Sequence, residues 1–396
     1  MTAGTAGAGL VLVVNTGSSS LKLSLLDPAG AVTASGGLDR WDGSAGTAGL
    51  RGFLAGQAGQ AGCTGPASIT AVGHRVVHGG RRFTAATVID DQVIEGLAAL
   101  TDLAPLHQPR AIAGIEAARA ALPGVPQVAC FDTAFHASLP AAAATYALPA
   151  GWTARFGLRR YGFHGLSHAH AARRAAELLA GTGPPAPDPL RIVSCHLGAG
   201  ASLAAISGGQ SVDTTMGFTP LEGLVMATRS GSVDPGLLVW LLRHGGVTVA
   251  DLGDKLEHAS GLAGLAGLPT GSGDLRDIRQ AAAAGDPHAQ TAIGVHAHRL
   301  RREIAAMAAA MDGLDALVFT GGIGEYQPET RAEAAAGLGF LGVAIDRQTN
   351  DTLRGGEDAD ISAPGAHVRT LVVATREDLE IARQVRAALD GADPAG

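Results

Sequence analysis

The chain opens with a pattern that it uses twice. Leu10 to Val14 is an apolar run, a polar Gly/Ser turn follows, Leu21 to Leu26 is a second run ended by Asp27-Pro28-Ala29-Gly30, and Ala31 to Ser35 begins a third. This spacing reads as strand, turn, strand, turn, strand. A second such block begins at Arg191 and runs through Ser207-Gly208-Gly209-Gln210. Between and beyond the blocks, strands (Thr70 to Val77, Gln127 to Phe131, Ala316 to Thr320, Val368 to Ala374) alternate with helical segments (Pro109 to Leu122, Ser167 to Ala180, 284 to 312, 329 to 336, Asp378 to Leu389). Ser167 is expected to cap its helix. Residues 41 to 68, rich in Gly, Ala and Gln, read as a surface excursion of weak helical content. Two similar α/β halves are the simplest account of this order.

Composition narrows the class. At about 150 residues per domain, 396 residues make two domains or three small ones, and 46% apolar against 16% charged residues excludes a disordered chain. The net charge is 29 − 36 = −7, with no basic block interleaved with aromatics, which argues against nucleic acid as the main partner. Weakly charged stretches are broken by residues such as Pro140 and Pro149, so no membrane span is expected. Cys63, Cys130 and Cys195 are odd in number and lack C-x-x-C spacing, which suits a reducing cytoplasm better than a disulfide framework or a zinc site. The lysines are Lys22 and Lys255, and neither completes G-x-x-x-x-G-K-[ST]. Nucleotide chemistry here needs a fold other than the P-loop. Gly337 to Gly342 satisfies G-x-G-x-x-G, yet it follows an Ala-rich helix and leads into an extended segment, the reverse of a dinucleotide site.

Several short constellations carry chemistry. Asn15-Thr16-Gly17-Ser18-Ser19-Ser20-Leu21-Lys22 sits at a strand-turn-strand junction, where small residues let backbone N–H groups approach phosphate and Lys22 adds a point charge. Alone it could be an ordinary hairpin turn. It recurs, however, as His196-Leu197-Gly198-Ala199-Gly200-Ala201-Ser202, and Thr320-Gly321-Gly322-Ile323-Gly324-Glu325 follows a later buried strand. Three glycine turns at strand ends suit the phosphates and adenosine of a nucleotide. In Gly73-His74-Arg75-Val76-Val77-His78, strand alternation puts Arg75 and Val77 on one face and His74 and His78, about 13 Å apart, on the other, too far apart to chelate one ion. A guanidinium beside an apolar wall fits a small organic anion. Asp132 closes an apolar strand, where α/β folds place ligands. His164 and His168 have i,i+4 spacing, but Gly165 and the Ser167 cap leave His164 outside the helix and defeat chelation. Arg229 lies on a glycine-flanked turn after Met216 to Gly223. Each could be a structural turn or a core histidine. Together they point to phosphoryl transfer.

At these residues the chain resembles the acetokinase family. N-x-G-S-S-S-x-K, G-H-R-x-V-H-G-G, A-P-L-H, F-D-T-A-F-H, Y-G-F-H-G, C-H-L-G-x-G-x-S, M-G-F-T-P-L-E-G, T-R-x-G-S and G-I-G-E occur in family order from about residue 10 to 390. The resemblance implies the duplicated two-domain actin-like ATPase fold, α/β in class, with residues 9–150 plus 375–396 on the acyl-substrate side, 151–374 on the nucleotide side and the active site in the cleft between them. It implies reversible phosphorylation of acetate by ATP, giving ADP and acetyl phosphate, with Mg²⁺ or Mn²⁺, in a cytoplasmic homodimer. By motif, Asn15 and Glu377 would organise the metal, Arg75 would hold the substrate, and Asp132 would be the catalytic acid. His164 and Arg229 would stabilise the transferring phosphoryl group. Val77, Leu106, Phe163 and Pro220 would line the methyl pocket. Nucleotide would meet Lys22, Ser18, Ser20, His196, Leu197, Gly198, Ala199, Gly200, Asp274, Leu275, Arg276, Gly322, Ile323, Gly324, Glu325 and Tyr326. Ala199, Tyr326 and Arg376 stand where the family usually has Asn, so the departures cluster on the nucleotide side.

A carboxylate is already ionised at pH 7, so its phosphorylation needs no general base, and Asp132 is better suited to placing Mg²⁺ than to removing a proton. Propionate differs from acetate by one methylene, worth only about 1–3 kcal/mol in an apolar pocket. A propionate kinase is therefore the other reading within the class. A nucleotide-binding sensor or chaperone-like ATPase is the reading outside it. Such a protein would not need the set Arg75, Val77, Phe163 and Arg229.

Overall fold

The computed structural model describes residues 9–17, 20–39, 41, 46–57, 68–181 and 187–391. The first strands are β1 (Leu10–Thr16), β2 (Ser20–Leu26), β3 (Val32–Asp39), β4 (Ile69–Val76), β5 (Thr87–Val88) and β6 (Gln127–Phe131). The later ones are β7 (Arg191–Leu197), β8 (Ala201–Ser207), β9 (Gln210–Thr214), β10 (Ala316–Thr320), β11 (Ala359–Asp360) and β12 (Arg369–Val372). They form two six-stranded sheets, ordered β3-β2-β1-β4-β6-β5 and β11-β12-β10-β7-β8-β9. Read from the meander end, the second order is β9-β8-β7-β10-β12-β11, the first repeated. Each sheet has three antiparallel strands, then two parallel neighbours, then a short antiparallel edge strand. The fold is a duplicated α/β architecture, and it divides into two compact units, Met1–Ala137 with Arg376–Gly396 and Ser138–Thr375.

In the first unit, alternation sorts the side chains of β1 and β2. Leu10, Leu12, Val14, Leu21, Leu23 and Leu25 share one buried cluster with Trp41, Leu50 and Leu54. Leu50 and Leu54 belong to helix Gly46–Gln57, so part of the stretch expected to be a surface excursion instead completes the core. A two-residue β-period on the strands meets a four-residue helical period on the helix, and both present leucines to one layer. Cys63 and residues 58–67 lie outside the described residues. The opposite face of the sheet carries helix Glu377–Leu389 against β1, β4 and β6. Gly73 allows that approach, because a Cβ there would meet the side chains of Ile381 and Val385.

In the second unit, helix Gly165–Ala180 lies against β7 and β10 and helix Pro287–Ala309 against β7 and β8. Ser167 is not the cap of the first of these. His164 is, with a left-handed φ of 57° and no side-chain capping bond, while the buried Ser167 is spent on another partner. Gly322 to Glu325, read as a turn, forms part of the short helix Gly321–Tyr326, entered through Gly321 at φ 82°. β4 ends at Val76, so Val77 and His78 lie past the strand and its alternation does not extend to them.

His74 and His296 are buried, and burial lowers both imidazoles from 6.5 to about 4, His74 against the pull of its bond to Gln127 and His296 with Arg279 adding to the effect. The unfolded chain takes up these protons near 6.5 while the folded chain refuses them until about 4, so stability falls as pH drops through that window. Each site contributes up to about 3 kcal/mol of that loss. Urea midpoints should therefore fall steadily between pH 7 and 4.5, and His296→Gln should flatten the slope.

Candidate active site

The register of the first sheet sets one row of side chains. Asn15 is paired with Arg75 across β1/β4 and with Lys22 across β1/β2. Directly paired residues point to the same face, and this is the face covered by helix Glu377–Leu389. Asp132 follows β6 immediately and its backbone N–H continues the ladder to the Val76 carbonyl at 3.0 Å. Arg75 donates from Nε to Asp132 Oδ1 at 3.1 Å and from Nη2 to Oδ2 at 2.8 Å. Its Nη1 faces Asn15 Oδ1 and Glu377 Oε2, each at 3.4 Å. Asn15 Nδ2 in turn donates to Glu377 Oε2 at 3.1 Å. Four residues from β1, β4, the end of β6 and the start of the last helix thus form one polar cluster.

Electrostatics fix its state. The Arg75 side chain is only 18% exposed, and burial opposes its charge, but Asp132 and Glu377 outweigh burial and hold the guanidinium protonated more firmly than usual. Burial pushes the Asp132 carboxyl upward, while Arg75 pulls it the other way. The fork geometry makes this a charge-assisted pair. Ser20 opens β2, beside the Gly17 N–H, which donates to its carbonyl at 2.7 Å; Ser18 lies outside the described residues.

The second unit builds its cluster at the corresponding strand ends. His196 is paired with Ser202 across β7/β8 and with Thr320 across β7/β10, the place in the second sheet that Asn15 holds in the first. His164 stacks on His196, centroids 4.3 Å apart, and its Nδ1 lies 2.9 Å from Ser202 Oγ. His196 Nδ1 lies 2.8 Å from Ser167 Oγ. In the turn Gly198-Ala199-Gly200, a Cβ on Gly200 would sit 3.5 Å from both His164 Nε2 and Arg229 Nη1. The imidazole edge and the guanidinium therefore converge over one glycine. The Arg229 loop is clamped beneath by Gly261 (φ 60°), where a Cβ would run into the carbonyl oxygens of Met226 and Arg229. Ala227 N–H donates to the Ala199 carbonyl at 3.1 Å, which ties that loop to the glycine turn.

Other expected residues are placed unevenly. Leu275 and Ile323 pack in one apolar cluster, so the 274–276 and 322–326 segments are brought together. Asp274 caps its helix and its carboxylate holds Arg276, which is otherwise solvent-facing. Glu325 is turned inward: its Oε1 accepts from Gly321 N–H at 3.1 Å and from the Thr375 N–H and hydroxyl at 3.0 and 2.7 Å. It braces the strand ends. Tyr326 is 62% exposed beside Gly355. Val77 belongs to the first unit and is buried, Leu106 in the same unit is 49% exposed, and Phe163 and Pro220 belong to the second, with the Pro220 carbonyl 3.5 Å from Arg229 Nη1. Reading the sequence passes over Ser194, Ser202 and Glu257, the last 3.5 Å from Arg229 Nε. Ser202 stood inside a recognised motif, whereas nothing marked the other two.

Duplicated sheets with glycine turns and polar or charged side chains at matching strand ends define a two-unit α/β fold of the phosphotransferase class. Residues 47–383 match the Acetokinase family. An acetate kinase of Clavibacter michiganensis is 46% identical over 96% of this chain and all of its own. The crystal structure of Porphyromonas gingivalis acetate kinase superposes with a TM-score of 0.88 at 38% identity, covering 96% of this chain and 100% of that one. A propionate kinase of Francisella tularensis gives 0.84 at 35% identity, covering 96% and 99%. The chain belongs to the acetokinase family.

Because Asp132 is buried, removing Arg75 strands a carboxylate. Arg75→Ala should cost about 3–5 kcal/mol in the first unit, and adding Asp132→Ala should recover much of that loss. Urea denaturation of the two single variants and the double variant measures the coupling.

Proposed function

We propose that this chain transfers the terminal phosphoryl group of ATP to acetate, reversibly, forming acetyl phosphate. The observation that carries the reading is the convergence of His164 Nε2 and Arg229 Nη1 over Gly200, an imidazole nitrogen and a guanidinium N–H meeting above a side-chain-free turn. Arg75, held protonated by Asp132 and Glu377, binds the acceptor carboxylate. Acetate needs no base to become a nucleophile, so the work of the protein is positioning and charge compensation. Arg229 and His164 donate to the oxygens of the transferring group as its negative charge spreads. Val77, Leu106, Phe163 and Pro220 are assigned to the acyl methyl group. Lys22, Ser18, Ser20, the 196–200 turn, Asp274 to Arg276 and the 322–326 segment are assigned to nucleotide, Glu325 by bracing rather than by contact.

The residues fit Mg²⁺ or Mn²⁺. Asp132, Glu377 and the Asn15 amide oxygen offer hard oxygen donors, and among the described residues no group of three or more His, Cys, Asp or Glu could cage an ion. One or two carboxylates with the remaining positions left to water and phosphate is the usual mode for Mg²⁺. When bound, the ion neutralises phosphate charge during transfer. Arg75 holds Asp132 and Glu377 in place, and Asn15 fixes the Glu377 rotamer.

The chain is further proposed to act as a cytoplasmic homodimer. Among the described residues no helix is long and apolar enough to cross a membrane, and Cys130 and Cys195 are buried thiols. Helix Pro235–His244 has no buried residue and exposes Leu237, Val239, Trp240 and Leu242 around its circumference, apolar surface that a second copy would cover. Trp240→Glu should shift sedimentation from dimer to monomer. A dimer that survives this change and Leu237→Asp would place the interface elsewhere.

Purified protein with MgATP and acetate should give acetyl hydroxamate when trapped with hydroxylamine. The propionate kinase relative motivates running propionate in parallel, and a higher kcat/KM for propionate would change the substrate assignment. No hydroxamate from either acid would favour a nucleotide-binding sensor. Arg229→Ala should lower kcat by at least about a hundredfold with a smaller change in acetate KM, as expected for a contact that strengthens in the transition state.

A further inference from the structure

Behind His164 lies a buried chain of hydroxyls and imidazoles that the proposed chemistry does not itself require. Ser202 Oγ is 2.9 Å from His164 Nδ1 and 2.8 Å from His168 Nε2, and His168 Nδ1 is 2.9 Å from Ser194 Oγ. Ser194, His168 and Ser202 are all inaccessible to solvent. A serine hydroxyl has one hydrogen, and a neutral imidazole has one N–H and one acceptor nitrogen. Ser202 can therefore donate to only one of its two imidazoles. Two directions of hydrogen bonding are open along the chain, and they place the His164 proton on opposite nitrogens.

Ser194 decides between them. Its hydroxyl is buried in the middle of β7 and its side-chain contact is with His168 Nδ1. If His168 donated from Nδ1, the Ser194 hydrogen would be left without an acceptor in the interior, a costly arrangement. A doubly protonated His168 would strand the same hydrogen. The satisfied pattern runs one way: Ser194 donates to His168 Nδ1, His168 Nε2–H donates to Ser202, and Ser202 donates to His164 Nδ1. With Nδ1 accepting, the neutral His164 ring carries its proton on Nε2, the atom that converges with Arg229 over Gly200.

We propose that Ser194, His168 and Ser202 are positioning residues that fix His164 in its Nε2–H tautomer, so that a neutral imidazole presents a permanent N–H donor at the Gly200 turn. This rests on the phosphotransferase reading for its purpose but not for its geometry. The opposite tautomer would aim a lone pair at phosphate oxygens. A single hydrogen-bond direction, started by a strand serine, excludes it.

The test has two readouts on the full chain. Two-bond proton–nitrogen correlation spectra of histidine-¹⁵N protein, with His164 assigned by the loss of its signals in His164→Gln, report the tautomer without turnover. His164 should show a protonated Nε2 and an unprotonated Nδ1. Ser202→Ala should mix the tautomers and lower kcat about tenfold or more, while KM for acetate and for MgATP changes less than about threefold. Ser194→Ala, three contacts away from His164, should shift the tautomer ratio in the same direction with a smaller loss of kcat, and Ser194→Thr, which keeps a hydroxyl, should restore both. A wild-type His164 protonated on Nδ1 or averaged between tautomers would overturn the proposal, even if Ser202→Ala failed to fold. So would an Nε2–H signal unchanged in Ser194→Ala. Wild-type protein with the expected tautomer but no hydroxamate would leave the chain of hydrogen bonds standing and refute the functional reading instead.

Discussion

Arg75 is the residue around which the first unit is arranged. A guanidinium four-fifths buried must be surrounded by acceptors, and it finds them on three separate elements: Asp132 after β6, Asn15 on β1 and Glu377 at the start of the last helix. Parallel pairing of β1, β4 and β6 brings the first two to one level. Glu377 is 362 residues from Asn15 in sequence, so the end of the chain must return to the first sheet for the cluster to close. Gly73 is what lets it return. The geometry of the cluster and the topology are in this respect one constraint.

Duplication explains why two units of one plan can do different chemistry. Asn15 and His196 hold matching places on β1 and β7, and Arg75 and Thr320 hold matching places on β4 and β10. The scaffold offers the same strand-end positions twice. In the first unit they carry a charged row braced by carboxylates, suited to an anionic acceptor. In the second they carry imidazoles, hydroxyls and a bare glycine turn, suited to phosphate. Different side chains stand at matching backbone sites, which is what a rigid sheet permits and a loop would not.

Much of this was legible because it depends on local patterning. The meander β1 to β3, its repeat from β7 and the acid after β6 follow from apolar runs and their terminating turns, and Asp132 could be placed at a strand end from Phe131 alone. What stayed hidden depends on contacts that sequence spacing does not encode. Ser167 has every local mark of an N-cap, yet a left-handed His164 takes that place and frees Ser167 for His196. Glu325 looks like part of a phosphate turn, but Thr375, fifty residues away, claims its carboxylate. Leu50 and Leu54 sit in a Gly/Ala background whose composition suggests solvent, and only the neighbouring leucines of β1 and β2 reveal them as core.

The left-handed His164 is held from several elements at once. A non-glycine residue at φ 57° stores backbone strain that the surroundings must hold in place, and such strain clusters where a side chain has to be aimed. Here the surroundings are visible. Helix Gly165–Ala180 begins at once after His164, the ring stacks on His196, and its Nδ1 is bonded to Ser202 from β8. Stacking fixes the plane of the ring, the Ser202 contact fixes its rotation, and the helix start fixes the backbone from which it projects. Each constraint comes from a different element, so no single-element motion can release the ring. That is the condition a group must meet if it is to stabilise charge in a transition state without first reorganising.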